Sequence, residues 1–479
     1  MKEFHNYIDG EWVGSTATMG NINPSDTGDE IGHYCVADAG QAQEAVAAAA
    51  NAIAQNRSPG IQGRSEILDT IGSEILARRD ELGVLLAREE GKVLAEATGE
   101  VVRAGQIFKY FAGEVLRLKG ELLPSVRPGV EVEITREPLG VVGILSPWNF
   151  PLAIPAWKIA PALAFGNSVV FKPASNVPGS AWALAEIISR SGLPAGLFNL
   201  VMGSGGVVGS AILDDPRVQG VSFTGSVHTG ATVASRCSAR GAKYQLEMGG
   251  KNPLVVLDDA DIENAVNCAV NSAFFSTGQR CTASSRIIVT PGIHEQFVDQ
   301  CVEAINNLVV GDALKEDTQI GPVIDELQLQ QDLDYIAVGQ EEGASLVIGG
   351  ERLQRSTPGH YLSPALFVDT QNSMRINQEE IFGPVASVIR ADGYEEALAI
   401  ANDTQFGLSA GICTRSLKMA SDFKRRSRAG MVMVNLPTAG VDYHVPFGGT
   451  KASSYGPREQ GSYASEFYTS VKTAYTCPL

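Results

Sequence analysis

The stretch VVGILSPWNFPLAIPAWKIAPALAFGNSVVFKPAS, residues 141–175, decides the fold. It opens on a short apolar run, VVGIL (141–145), and ends on a second, SVVFK (168–172), with a helical pattern at about 153–164 between them. Apolar strands joined through a helix form parallel βαβ units, whose strands are covered on both faces and so lack polar alternation. Outward from this unit, strands are expected at LFNLV (197–201), GVSFT (220–224) and YQLEM (244–248). Helical segments fall near 180–191, 206–213 and 227–238. Residues 140–250 therefore predict a doubly wound, Rossmann-like sheet.

Further along, a second alternation runs from LVVLD (254–258) through RIIVT (286–290), a helix near 293–308, ASLVIG (344–349), PVASVIR (384–390) and MVMVN (431–435). It reads as a second α/β domain. The first third reads helical over 38–55, with Asp38 as N-cap, over 63–90, with Gly91 as the stop, and over about 92–113. Residues 119–137 alternate around Pro128-Gly129 as a hairpin, and 466–476 alternate as a strand that could pair with it. Such strands have no core of their own. A partner subunit and an ordinary surface hairpin explain them equally well.

The chain has 479 residues, with 37 Lys+Arg, 54 Asp+Glu and a net charge of −17. At roughly 150 residues per domain, two or three domains are expected. Its acidic balance speaks against nucleic acid as a partner. No apolar run reaches the roughly 18 residues of a membrane span, and the N-terminus shows no signal-peptide pattern. Seven scattered cysteines without a C-x-x-C pair predict neither disulfides nor a metal site, and fit a cytoplasmic protein.

Cys281 differs in context from the other cysteines. It lies in FFSTGQRCTASSR behind Arg280, a cation that would favour the thiolate. Glu247, in LEMGGKNP, could serve as a general base. Read alone, it fits a solvated strand end better. Asn149, in SPWNFP, follows the first strand, where parallel sheets bind ligands, and its amide could donate to an oxyanion. A turn residue between two prolines explains it equally well. The glycines of FTGSVHTG (223–230) and GSGGVVG (203–209) are weak signals alone, because βα turns need glycine anyway.

Taken together, SPWNFP, FKPAS, SFTGS, LEMGGKNP, GQRCTA, EEIFGP and PFGG occur in the order found in the aldehyde dehydrogenase superfamily, between 146 and 449. The spacings 281 − 247 = 34 and 281 − 149 = 132 also fit. The chain resembles that family over nearly its whole length. The resemblance implies a Rossmann-type cofactor domain (1–118 and 141–250), an α/β catalytic domain (251–435) and a β oligomerisation arm (119–140 and 455–479). It implies NAD(P)-dependent oxidation of an aldehyde to a carboxylic acid through a Cys281 thiohemiacetal and thioester. Asn149 and the Cys281 N–H would hold the oxyanion, Glu247 would activate water, and Lys158 would position Asn149 or the cofactor.

Carried over by motif, Lys172 would bond the adenosine ribose, Trp148 would line the cleft and Ser226 would meet the pyrophosphate. Gly225 and Gly230 would allow close approach, Glu380 would hold the nicotinamide ribose, and Phe382 would pack nearby. Ser175 stands where NAD-preferring relatives carry Glu. Because Ser does not repel a 2′-phosphate, NADP or dual use is expected.

The 431–461 stretch and GQRCTASSR look most like α-ketoglutarate semialdehyde dehydrogenases. That substrate would need a cation, for which Arg280 is a candidate. Phe150, Trp157 and Phe447 would line the tunnel, with Val441 and His444 at its mouth. Succinate semialdehyde, glutarate semialdehyde and aromatic aldehydes are the alternative substrates. A non-catalytic binding protein would not need Cys281, Glu247 and Asn149 together, and a cysteine hydrolase would need a paired histidine. A homodimer or homotetramer is expected from the family pattern.

Overall fold

The computed structural model describes residues 3–478. The parallel core of the larger sheet is Val141–Leu145, Ser168–Lys172, Phe198–Leu200, Val218–Gly225 and Lys243–Met248. In space the fourth strand lies beside the first, so the sheet winds away from that pair in both directions. The carboxyl ends at such a switch point open a crevice between the two sets of loops. Ser454–Tyr455 pairs antiparallel with one side of this core, and Asn6–Ile8 and Glu11–Val13 extend the other.

Val141–Leu145 and Ser168–Lys172 are buried along their whole length. So is the connecting helix Ala153–Ala164, which is why no polar face appears in its sequence. The 63–90 pattern forms two helices, Ile61–Ala77 and Arg79–Glu90, broken at Arg78. Gly91 ends the second in a left-handed conformation, φ 88°. The segment 206–213 divides into a π turn, Gly205–Gly209, and a short helix, Ser210–Asp214. Asp26–Val36 pairs with Ala17–Asn23 and Glu3–Phe4 in a small sheet absent from the sequence reading.

The second sheet has seven strands, all parallel except the edge strand Ser345–Ile348. Its centre is Asn252–Val256 beside Ser284–Val289. The tail strand Thr469–Thr476 pairs antiparallel with Glu131–Pro138, which also pairs with Glu121–Pro124. This three-stranded sheet stands apart from both larger ones, and Leu122 is 74% exposed on it. Among the described residues no helix is long and apolar enough to cross a membrane, and no cysteine is paired.

Candidate active site

The site begins where Val141–Leu145 ends. Its loop runs through Trp148 and Asn149 into the helix Ala153–Ala164. The first N–H groups of a helix lack intrahelical partners. Here the N–H groups of Leu152 and Ala153 both donate to Glu100 Oε1, at 3.0 and 3.0 Å. Lys92 Nζ donates to Glu100 Oε2 and to the Asn149 carbonyl, both at 2.7 Å. The same ammonium lies 3.7 Å from the centre of the Phe150 ring. Thus a buried ion pair fixes the loop, and the Asn149 side chain is left to donate to the Gln279 carbonyl at 2.9 Å.

Cys281 follows a strained turn. Ser276 and Thr277 hold φ of 50° and 56°, a region few non-glycine residues adopt. Glu96 secures that turn by accepting from the Ser276 N–H and hydroxyl, at 3.1 and 3.0 Å. Asn252 Nδ2 donates to the carbonyls of Cys281 and Ala283, at 2.7 and 2.8 Å. A Cβ on Gly250 would sit 2.8 Å from that Cys281 carbonyl, so close approach requires glycine there.

The half-buried thiol is pushed up to about 12, chiefly by burial and then by the carboxylates of Glu380 and Glu247. The backbone N–H groups of Cys281 and Thr282 oppose this only in part. These influences run against the effect expected from the neighbouring Arg280. Arg280 donates to the Asn271 carbonyl, and burial and carboxylates outweigh its charge at the sulfur.

Glu247, near the end of Lys243–Met248, is buried and accepts from the Ser454 hydroxyl at 2.6 Å. Its pKa is raised well above the usual carboxylate range by burial and by Glu459; Ser454, Lys158 and Arg458 oppose the shift. Lys158 does not reach Asn149. Its ammonium pairs with Glu459 and donates to the Ser222 hydroxyl at 2.9 Å. Trp157 likewise donates its indole N–H to Glu459, and its ring leans on Phe447 at 5.3 Å. Both residues belong to a buried network behind Glu247, and Lys92 holds the Asn149 backbone instead.

A cleft of about 340 Å³ opens beside Cys281, with Trp148, Asn149, Gly225, Ser226, Glu380 and Phe382 among its lining. Ser226 caps the helix Val227–Ala239 by accepting from the Thr229 N–H at 3.3 Å. Gly230 lets that helix approach the sheet, since a Cβ would lie 2.4 Å from Met248 Sδ. A Cβ on Gly225 would meet the Phe223 ring at 2.6 Å. The tightness at both glycines is thus helix–sheet and strand packing. Phe382, at φ 68°, meets Trp148 edge-on at 5.4 Å.

Glu380 accepts from the Gly250 N–H at 2.8 Å, and burial pushes its carboxyl up to about 7. Lys172 is buried, donates to the Pro173 carbonyl at 2.6 Å and is pushed down to about 8 by burial. The Ser175 hydroxyl donates to the Gly203 carbonyl at 3.1 Å. Thr224 Oγ1, buried on the cleft wall, has no partner among the described residues. An orphaned hydroxyl and a helix N-terminus along this cleft suit an anionic dinucleotide.

On the other side, Arg103, from the helix Leu94–Glu114, donates to the Val441 carbonyl and to Gln460 Oε1. His444 is exposed and meets Tyr443 edge-on at 5.5 Å.

Residues 12–474 match the aldehyde dehydrogenase family. The chain belongs to this family. An α-ketoglutaric semialdehyde dehydrogenase of Bacillus subtilis is 45% identical, over 99% of this chain and 98% of its own. A betaine aldehyde dehydrogenase of Staphylococcus aureus solved with NAD+ is 34% identical, with a TM-score of 0.97 over 99% of this chain and 95% of its own. An Escherichia coli NADP-dependent enzyme is 35% identical, with a TM-score of 0.96 over 99% and 98%. As an aldehyde dehydrogenase, this protein is an NAD(P)-dependent oxidoreductase of aldehydes.

Sequence reasoning missed Lys92, Glu100, Glu459 and Arg103. Glu100 and Lys92 fall within the helical pattern at about 92–113, where charge usually means a solvated face. Glu459 lies far along the chain from both of its buried partners, 302 residues from Trp157 and 301 from Lys158.

Proposed function

We propose that this aldehyde dehydrogenase oxidises α-ketoglutarate semialdehyde to α-ketoglutarate. The observation that carries the chemistry is the placement of Cys281 and Asn149 on one cleft wall, with Glu247 buried nearby. The Bacillus subtilis relative's name supports the substrate. Cys281 releases its thiol proton to solvent, and the thiolate adds to the aldehyde carbon, forming a C–S bond, while the carbonyl electron pair moves onto oxygen. The Asn149 amide and the Cys281 N–H donate to that oxygen. When bound, the oxidised nicotinamide supplies a hydride acceptor and a positive ring charge. Loss of hydride leaves a thioester on Cys281. Glu247 takes a proton from water, the hydroxide oxygen bonds to the acyl carbon, and the C–S bond breaks to release the acid.

Lys172, Trp148, Ser226, Glu380 and Phe382 are the groups we assign to holding NAD or NADP. Ser175 leaves room for a 2′-phosphate, which supports use of both. The 1–118 and 141–250 segments would then form the cofactor domain and 251–435 the catalytic domain. The exposed arm strands support a homodimer or homotetramer joined through 119–140 and 455–479, and the unpaired cysteines of the described residues suit a cytoplasmic location. Burial of Leu122, Val471 and Tyr475, at 74%, 62% and 61% exposure in the single chain, would accompany assembly.

Initial rates with oxo-acid semialdehydes, succinate semialdehyde and uncharged aldehydes, with NAD and NADP separately, test this reading. The oxo-acid semialdehyde is expected to give the highest kcat/KM, with NADP within about tenfold of NAD. A preference for uncharged aldehydes would defeat it.

A further inference from the structure

The semialdehyde proposed above carries a carboxylate at the end opposite its aldehyde. With a net charge of −17, the protein as a whole repels such a substrate, so a fixed local cation must hold it. The charge of Cys281 is felt at the guanidinium groups of Arg280 and Arg103. Among the described residues neither has a carboxylate within 4.0 Å.

They differ in what else surrounds them. Glu96, which holds the turn before Cys281, is the strongest carboxylate influence on Arg280. The Arg280 guanidinium is also turned to the Asn271 carbonyl on the helix Ile262–Phe274. The carboxylate acting most on Arg103 is Glu100, which is already engaged by Lys92 and the two N–H groups of Leu152 and Ala153. Asp442, the next, is exposed to solvent.

Arg103 is anchored without being neutralised. The Val441 carbonyl and Gln460 Oε1, at 3.2 Å, fix its two terminal nitrogens. Its guanidinium carbon lies 5.9 Å from the centre of the Trp157 ring. Its Nε–H is buried with no partner among the described residues, as is that of Arg280. A buried donor left unmade is costly, and a planar guanidinium held against an aromatic wall is shaped for a carboxylate.

We propose that Arg103 is the residue that recognises the distal carboxylate and sets the preference for oxo-acid semialdehydes. This rests on the α-ketoglutarate semialdehyde reading. In Arg103→Met, kcat/KM for that semialdehyde should fall about 100-fold, mainly through KM, while pentanal changes by less than about threefold. An equal loss for both substrates means a merely structural role and overturns the proposal. So does retention of the parent's preference, or its loss in Arg280→Met but not in Arg103→Met. A parent enzyme that prefers pentanal defeats the oxo-acid reading itself, a result distinct from any of these. If Arg103→Met does not fold, Arg103→Lys serves: a single-point cation should lower only the semialdehyde's kcat/KM, by about tenfold, and an unchanged ratio overturns the assignment.

Discussion

Two buried lysine–glutamate pairs flank the reaction centre, and they act in different ways. The side chains of Lys92 and Glu100 are 1% and 1% exposed; those of Lys158 and Glu459 are 0% and 1%. The first pair uses its remaining hydrogen-bonding capacity on backbone groups, the Asn149 carbonyl and the Leu152 and Ala153 N–H groups. It therefore controls position. The second bonds side chains, Ser222 and Trp157, and Glu459 raises Glu247 through space. It therefore controls charge. Burying such a pair is no gain in stability by itself, because both charges lose their hydration. What each pair adds depends on which neighbours fill its vacant donors and acceptors.

The largest effect should come from breaking the positional pair. Lys92→Met leaves Glu100 charged and buried, which should lower unfolding free energy by about 3–5 kcal/mol in denaturant titrations. It also frees the Asn149 loop, so kcat should fall ~10²-fold, the scale of losing an oxyanion donor, with little movement of the pH profile. A displaced profile at unchanged kcat would mean that this pair, too, works through charge.

The electrostatic pair should do the reverse. Glu459 raises Glu247, so Glu459→Gln lets Glu247 lose its proton at lower pH. The acid limb of thioester hydrolysis should move to lower pH. Lys158 favours the Glu247 carboxylate, so Lys158→Met should move the limb to higher pH. Shifts of one sign in both variants would break the assignment. Ser454→Ala removes a hydrogen bond that favours ionised Glu247, and should also move the limb to higher pH.

The parallel strands were legible because burial on both faces leaves uninterrupted apolar runs. Val141–Leu145 and Ser168–Lys172 fall where the pattern places them. The break at Arg78 was hidden because helical pattern continues on either side of it. Motif residues that line the cleft became legible only as an ordered set, because each read alone fitted an ordinary turn or packing role as well. The two ion pairs could not: Lys158 meets Glu459 301 residues away, and a lone lysine in an apolar helix carries no sign of its partner. Adjacency also misled. Arg280 precedes Cys281 in sequence, yet burial and two carboxylates set the thiol's titration. Arg103, distant in sequence, comes from another helix, and its guanidinium feels the charge of Cys281.

The most direct test of the account is a rapid-mixing burst with Glu247→Gln, followed by intact-mass analysis. On the proposed roles, acylation needs Cys281 and Asn149, whereas release of the acid needs Glu247. The account predicts one equivalent of reduced nicotinamide per site, slow turnover afterwards and an acyl adduct on Cys281, with no burst from Cys281→Ser. Full steady-state turnover by Glu247→Gln without an adduct, or a burst from Cys281→Ser, would contradict it.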